Sequence, residues 1–240
     1  MIATHYVQKS CWVLVVLSLS ACASTSPVAH PEDPYEAINR KIYTFNEGFD
    51  RYTLKPLAQG YQMVMPQVGK VLVNNFFSNL DDVGVTINDF LQLKVKQGFS
   101  DGSRVLFNTT FGIGGLINVT SRLPKHDEDF GQTLGYWGVK PGPYIMLPFF
   151  GPKSVRDTAG FTVDGYTGVI TNITNVPLRN TLYFSDKINN REHLLKDENV
   201  LEEVEDRYSF IRNIYLKNRE NLVYDGNPPA DADNYKDEED

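Results

Sequence analysis

The sequence is poor in the residues that usually carry chemistry. Its 240 residues hold two cysteines, Cys11 and Cys22, and four histidines. Two thiols make neither a four-cysteine zinc site nor a disulfide framework. Basic residues are outnumbered, 23 Lys plus Arg against 30 Asp plus Glu, for a formal charge of −7. That balance excludes a typical nucleic-acid binder, which needs a basic face to displace counterions. The N-terminal apolar run, Cys11–Leu19, is too short for a transmembrane helix of about 20 residues. The chain has no P-loop or H-E-x-x-H zinc motif, and its G-x-S-x-G string, Gly98-Phe-Ser100-Asp-Gly102, falls inside the helix-patterned stretch 94–110 and not at a strand-to-helix elbow. Gly112-Ile-Gly114-Gly115-Leu-Ile117 starts like a dinucleotide loop but lacks its last glycine, and Asp129-Phe130-Gly131 has no other kinase motif beside it. No nucleophile–base set, metal site or cofactor is predicted, so the expectation is a protein that is not an enzyme.

Apolar content is nevertheless 41%, and aromatics are 12%. Such a chain can build a core. Its N-terminus has one basic residue, Lys9, then the apolar run, then Leu19-Ser20-Ala21-Cys22. This order is that of a secretory leader, and its end resembles the bacterial lipobox, in which the cysteine thiol is acylated and becomes residue one. An ordinary leader cleaved near Ala21 or Ala23 is the alternative. With Cys11 removed and Cys22 acylated, no free thiol is left. One acyl chain anchors marginally and two or three hold firmly. Ala23 follows the cysteine where inner-membrane retention signals have Asp, which by resemblance points to the outer membrane of a Gram-negative bacterium, on its periplasmic side.

Four segments are expected: a leader 1–21, a lipidated cysteine with tether 22–32, a domain 33–224 and an acidic disordered tail 225–240. The leader carries Lys9 alone, so the processed chain has a charge of −8; the tail contributes −6 and the body only −2. The tether reaches about 17 Å, which keeps the domain near the membrane surface.

Asp33 is placed to cap a first helix, with Pro34 at its first position and Glu36 completing a capping box. Apolar steps at Tyr35, Ile38, Ile42, Phe45, Phe49 and Tyr52 predict about 20 helical residues, ended by Lys55-Pro56. Residues 56–92 read as two or three short helices with a kink or cap at Asn79–Asp82. Residues 94–110 read as a helix with Val95, Phe99, Val105 and Leu106 inside. Between Gly112 and Gly151 lie eight glycines among many large apolar side chains. That predicts a long apolar irregular loop, of a kind that is usually functional. Helix returns from Ser154 to about Tyr166, and a last helix from near Asp197 to Val223 is about 40 Å long if continuous. Most aromatics outside the loop are assigned to the core, and His126-Asp127-Glu128-Asp129 to a solvated turn.

Four blocks carry a family resemblance. They are Asp33-Pro-Tyr-Glu-Ala-Ile-Asn39-Arg40, then Arg104-Val-Leu-Phe-Asn108 through Gly115, then Glu128-Asp129-Phe130-Gly131-Gln132 through Val139, then Gly142-Pro143 through Pro152. In this order they resemble the MlaA (VacJ) outer-membrane lipoproteins over about residues 22–224. Ala37 and Lys153 depart from the family pattern at positions often Gly and Ser. The resemblance implies a mostly α, single ring-like domain in the membrane interface, with an amphipathic channel and a glycine-rich hairpin. It implies removal of phospholipid mislocalised to the outer leaflet, delivery to a soluble periplasmic phospholipid carrier, and association with a porin trimer. It places a gating loop at Gly112–Phe130, hinged on Gly112, Gly114 and Gly115 and closing against the first helix near Ile42 and Phe45. A scaffold lipoprotein and a membrane-surface lipase are the alternatives from other classes. Cys22→Ala is expected to abolish labelling with radioactive palmitate and to leave the leader uncleaved, read as a larger apparent mass on gels.

Overall fold

The first apolar stripe does form a helix, but it begins later and runs on further than its sequence signals imply. In the computed structural model, which describes residues 30–229 except 199, 200 and 202, helix α1 spans Glu36–Phe49. Asp33 does not cap it. The Asp33 carboxylate is fully buried and accepts from Asn39 Nδ2 at 2.8 Å, Tyr208 Oη at 2.5 Å and Arg212 Nη1 at 3.2 Å. A buried guanidinium needs a countercharge, and that demand outranks a helix cap. Lys55-Pro56 does not end the helical path either. A π-helical turn, Asp50–Leu54, leads into α2, Lys55–Val64, with Pro56 in its first turn. The proline, which cannot donate, falls where the path changes from π- to α-helical spacing.

Helix α3, Gln67–Leu91, passes unbroken through Asn79–Asp82, where the sequence predicts a kink or cap. Both side chains are buried and tied across to other segments: Asn79 to Thr109 at 2.9 Å, Asp82 to Arg104 at 3.2 Å and to Lys125 at 2.8 Å. Polar groups engaged in this way do not compete with the helix backbone. A short turn leads into α4, Val95–Phe111, which packs back on α3. The glycine-rich stretch is only partly irregular. Residues 112–129 lack regular structure, then come helix α5, Phe130–Tyr136, and strands β1, Tyr144–Leu147, and β2, Gly151–Ser154. The strands pair antiparallel, with Tyr144 opposite Ser154. Helices α6 (Val155–Thr167), α7 (Val176–Leu194) and α8 (Arg207–Val223) complete the described residues, with a 3₁₀ turn at Leu195–Asp197. The mostly α architecture expected from the sequence is the one found. The last helix is not continuous from Asp197: α8 has 17 residues, about 26 Å. Asp206 caps it through Ser209 and pairs with Arg40 at 2.7 Å, so the chain must turn there.

The distribution of polarity is inverted relative to a soluble domain. Among the described residues, six hydrophobic side chains are buried against twenty polar or charged ones, while thirty-five large hydrophobic ones are exposed. In α4 the expectation is reversed. Gly98, Asp101, Arg104 and Asn108 are buried, while Val95, Phe99 and Leu106 face outward. Most aromatics outside the loop are likewise not core: Tyr52, Phe99, Phe107, Phe111, Tyr166 and Phe184 are exposed. The small apolar cluster of Tyr144, Met146 and Tyr208, flanked by Ile42 and Leu216, joins α1, β1 and α8.

A second charged clasp closes the other end of α8. Arg219 donates to both oxygens of Asp129, at 2.6 and 3.0 Å, and to Asp157 at 2.9 Å. Asp157 also receives the Tyr215 hydroxyl at 2.5 Å and Arg156 Nε at 3.0 Å. Helices α5 and α6 cross almost backbone to backbone there: a Cβ on Gly160 would stand 2.3 Å from Gly131 N, so glycine is required. Burial alone would raise the Asp157 carboxyl, but Arg219, Tyr215 and Ser154 hold it down at about 2. A depressed carboxylate contributes stability that is present above its unfolded value, about 4, and is lost as pH falls toward 2. Asp157→Asn is expected to lower stability at neutral pH by about 2 kcal/mol and to flatten its loss below pH 4, measured by chemical unfolding in detergent.

Candidate functional site

Cys22 lies outside the described residues. The other residues that the resemblance assigns to a channel and its gate are described, and they fall into three places. Gly112, Gly114 and Gly115 leave the end of α4 toward α3. Ile113, Gly114 and Gly115 all have positive φ, 54°, 68° and 93°. A Cβ at Gly112 would meet Ile117 O at 2.1 Å, and one at Gly115 would meet the Asn79 side chain at 2.7 Å. These two glycines permit close approach in a tethered turn. Asn75 donates to Leu116 O at 3.1 Å, and Asn108 Oδ1 accepts from Val119 N at 2.9 Å. Arg104 adds a bond to Leu123 O at 3.0 Å. The segment is thus moored to α3 and α4.

Ile42 and Phe45 meet a different partner. Ile42 packs on the Tyr144–Met146–Tyr208 cluster, and the Phe45 ring lies edge-on to Phe149, centroids 5.1 Å apart. Asn46 fixes the same hairpin from both sides, donating to Leu147 O at 2.9 Å and accepting from Phe149 N at 2.8 Å. The element against this face of α1 is the β1–β2 turn. Phe130 sits in a third place, at the start of α5, where its N–H donates to Asp164 of α6 at 3.1 Å.

The run from His126 to Asp129 is not a solvated turn. Glu128 is buried and accepts from Lys94 at 2.7 Å, Gln92 at 2.8 Å and Gln97 at 3.1 Å. His126 Nδ1 lies 2.6 Å from Asp101 Oδ2, while Asp129 caps α5 and pairs with Arg219. Consecutive side chains point to different partners, because the segment bridges α4, α5 and α8. Among the described residues no group of three or more His, Cys, Asp and Glu could hold a metal ion.

Between α3, this bridge, the Asp164–Thr171 segment and the facing sides of α7 and α8 lies a cleft of about 410 Å³. Its wall mixes Leu80, Val85 and Leu222 with Asp81, Asp186 and Arg219. Asp81 is exposed at the mouth of the cleft, where the surrounding protein mass and the like charge of Asp186 push its carboxyl up to about 6, although Lys125 and Lys187 oppose the rise. Asp164 is also raised by burial, while its bond from Phe130 N–H pulls the other way. Asp129 faces the same burial, but Arg219 brings it below the ordinary carboxylate range. No Ser, Cys or His stands among the lining residues. The cleft therefore offers charge and hydrogen bonds inside an apolar-coated body: an environment for a polar group, with no acyl-transfer apparatus. None of Asp81, Asp164, Asp186 or Arg219 was nominated from sequence. The available signal was the polar series Asn79, Asp82, Asn88 and Asp89 of α3, which spaces polar groups along one buried face.

Comparison with known proteins agrees with this arrangement. The family model described as MlaA lipoprotein matches residues 31–222. The intermembrane phospholipid transport system lipoprotein MlaA of Escherichia coli (strain K12) is 33% identical over 227 residues, covering 89% of this chain and 90% of that protein. The protein of the same description from Haemophilus influenzae is 30% identical, with 89% of each covered. A solved structure described as "Structural basis for maintenance of bacterial outer membrane lipid asymmetry" superposes with a TM-score of 0.71 at 29% identity, covering 80% of this chain and 98% of that one. By its family match, its relatives and its fold, the chain belongs to the MlaA lipoprotein family.

Proposed function

We propose that this chain is the lipoprotein component of an intermembrane phospholipid transport system, which maintains outer-membrane lipid asymmetry. The observation that carries the reading is the inverted polarity, in a chain whose relatives bear that description. A phospholipid that leaves its leaflet must keep a charged head solvated while its tails stay in an apolar medium. Passing the head through hydrocarbon is too costly, so the route needs a polar lining inside an apolar exterior. The buried charges supply the first, and the outward faces of α3 and α4 supply the second; Phe99 and Phe111 are 67% and 70% exposed. Among the described residues no helix is long and apolar enough to cross a membrane. The domain accordingly lies in one leaflet, lipid against its rim.

In this reading Cys22 carries the acyl anchor and the periplasmic side receives the protein. Phospholipid from the outer leaflet passes through the polar interior to a soluble periplasmic carrier, and a porin trimer holds the domain in place. Gly112, Gly114 and Gly115 with Phe130 border the path, and Ile42 and Phe45 hold the β1–β2 turn beside it. No bond in the lipid is made or broken. Transport needs only a route and a gradient of affinity, which is why no nucleophile is assigned.

Loss of the gene in its own host is expected to raise outer-leaflet phospholipid, read by surface labelling and detergent sensitivity, with the intact chain restoring it. Unchanged labelling favours a scaffold, and lysophospholipid products from labelled lipid favour a lipase. The apolar rim has a separate test. With Cys22→Ala in place, the domain is expected to stay with vesicles. Adding Phe99→Asp and Leu106→Asp is expected to shift it to the soluble fraction in a flotation assay.

A further inference from the structure

Around the α3–α4 pair, every buried acid but one has a basic partner. Asp82 has Arg104 at 3.2 Å and Lys125 at 2.8 Å, and Glu128 has Lys94 at 2.7 Å. Asp101 has His126 Nδ1 at 2.6 Å from its Oδ2, with Arg104 Nε 3.8 Å from its Oδ1. Asp89 of α3 has none. It is 0% exposed, and neither of its carboxyl oxygens has a hydrogen-bond partner among the described residues. Asp101 Oδ1 is without one as well. The two side chains stand within hydrogen-bonding reach of each other across the helix pair, with Glu128 and His126 as the other charged neighbours of Asp89. Two carboxylates in contact inside a protein cannot both stay ionised. Burial and the charge of Asp101 raise the Asp89 carboxyl to about 7, and His126 opposes the rise.

We propose that Asp89 and Asp101 share one proton, and that this pair is a pH-sensitive latch holding α3, α4 and the His126–Asp129 bridge together. The proton sits on Asp89, which donates to Asp101 Oδ1; Asp101 Oδ2 stays free to accept from His126 Nδ1. The His126 side chain is 30% exposed and gives the pair its contact with solvent. When the proton leaves, two like charges face each other in the interior, and Asp101 carries the mooring of the bridge with it. The latch stands whether or not the chain moves lipid. A carboxyl raised in the folded state contributes stability that is present below its unfolded value, about 4, and is lost as pH rises toward 7.

The test uses the full-length, processed lipoprotein in mild detergent, with isotope-labelled aspartate. Difference infrared spectra of wild type against Asp89→Asn are expected to show a protonated-carboxyl C=O stretch at pH 6 that is gone at pH 9. The amide of Asp89→Asn donates to Asp101 as the acid does, so this variant is expected to fold. The ratio of wild-type to variant unfolding constants is expected to rise about tenfold per pH unit between pH 5 and 6. Amides of residues 123–129, corrected for intrinsic exchange, are expected to lose protection above pH 7 in wild type and to keep it in Asp89→Asn. Should Asp89→Asn not fold, Asp101→Asn carries the test alone: removing the like charge is expected to lower the pH at which the Asp89 stretch disappears. No stretch at pH 6, an unfolding ratio that does not change with pH, or an Asp101→Asn midpoint equal to that of wild type overturns the shared proton. Equal loss of protection in wild type and Asp89→Asn overturns the latch.

Discussion

A carboxylate buried away from water must meet a countercharge or take up a proton. That constraint organises this protein. Asp33 binds Arg212 and Tyr208, and Asp157 binds Arg219 and Tyr215, so α8 is fastened to the rest at both ends by acids from distant parts of the chain. Asp82 and Arg104 do the same for the α3–α4 pair. Arg191 bridges Asp50 and Glu198, tying α7 to the π-helical turn after α1. The apolar cluster around Tyr144 is small by comparison. With apolar groups outside, hydrophobic burial within the chain cannot supply most of the cohesion, and the ion pairs set the geometry.

The same constraint bears on the proposed route for the lipid headgroup. The packing opens at the cleft between α3, α7 and α8. Asp81 and Asp186 lie on that opening, and their mutual repulsion already raises Asp81. Glu128, one residue from the cap of α5, is held by Lys94 and two glutamines. Asp82, paired with Arg104 and Lys125, and its neighbour Asp81, which lines the cleft, show how adjacent acids take different environments.

Helical periodicity was legible in the sequence: α1, α4 and α6 fall close to their apolar spacings, and Ser154 caps α6. The direction of each face was not. Periodicity says that Phe99 and Asp101 lie on different sides of a helix; which side is inside depends on the solvent, and the spacing of residues does not carry that information. Assigning Val95, Phe99 and Leu106 to the interior assumed water outside. Local signals failed where a distant charge competed. Asp33 and Pro34 read as a helix start, yet Arg212, 179 residues away, claims the carboxylate. Asp206 and Arg40 break what reads as one long helix. Helix α5 lies inside the stretch that reads as one irregular loop, and the cleft acids on α3, α6 and α7 come together only through the fold.

The central claim is that lipid surrounds the apolar rim while the cleft stays wet. Site-directed spin labelling tests it directly, with nitroxides placed one at a time at Phe99, Leu106, Phe111 and Asp81 in the lipoprotein reconstituted in bilayers. The account predicts that the three rim positions collide with oxygen and are shielded from a water-soluble nickel chelate, while the position at Asp81 shows the opposite preference. Rim positions open to the nickel chelate, or a position 81 buried in hydrocarbon, would contradict it.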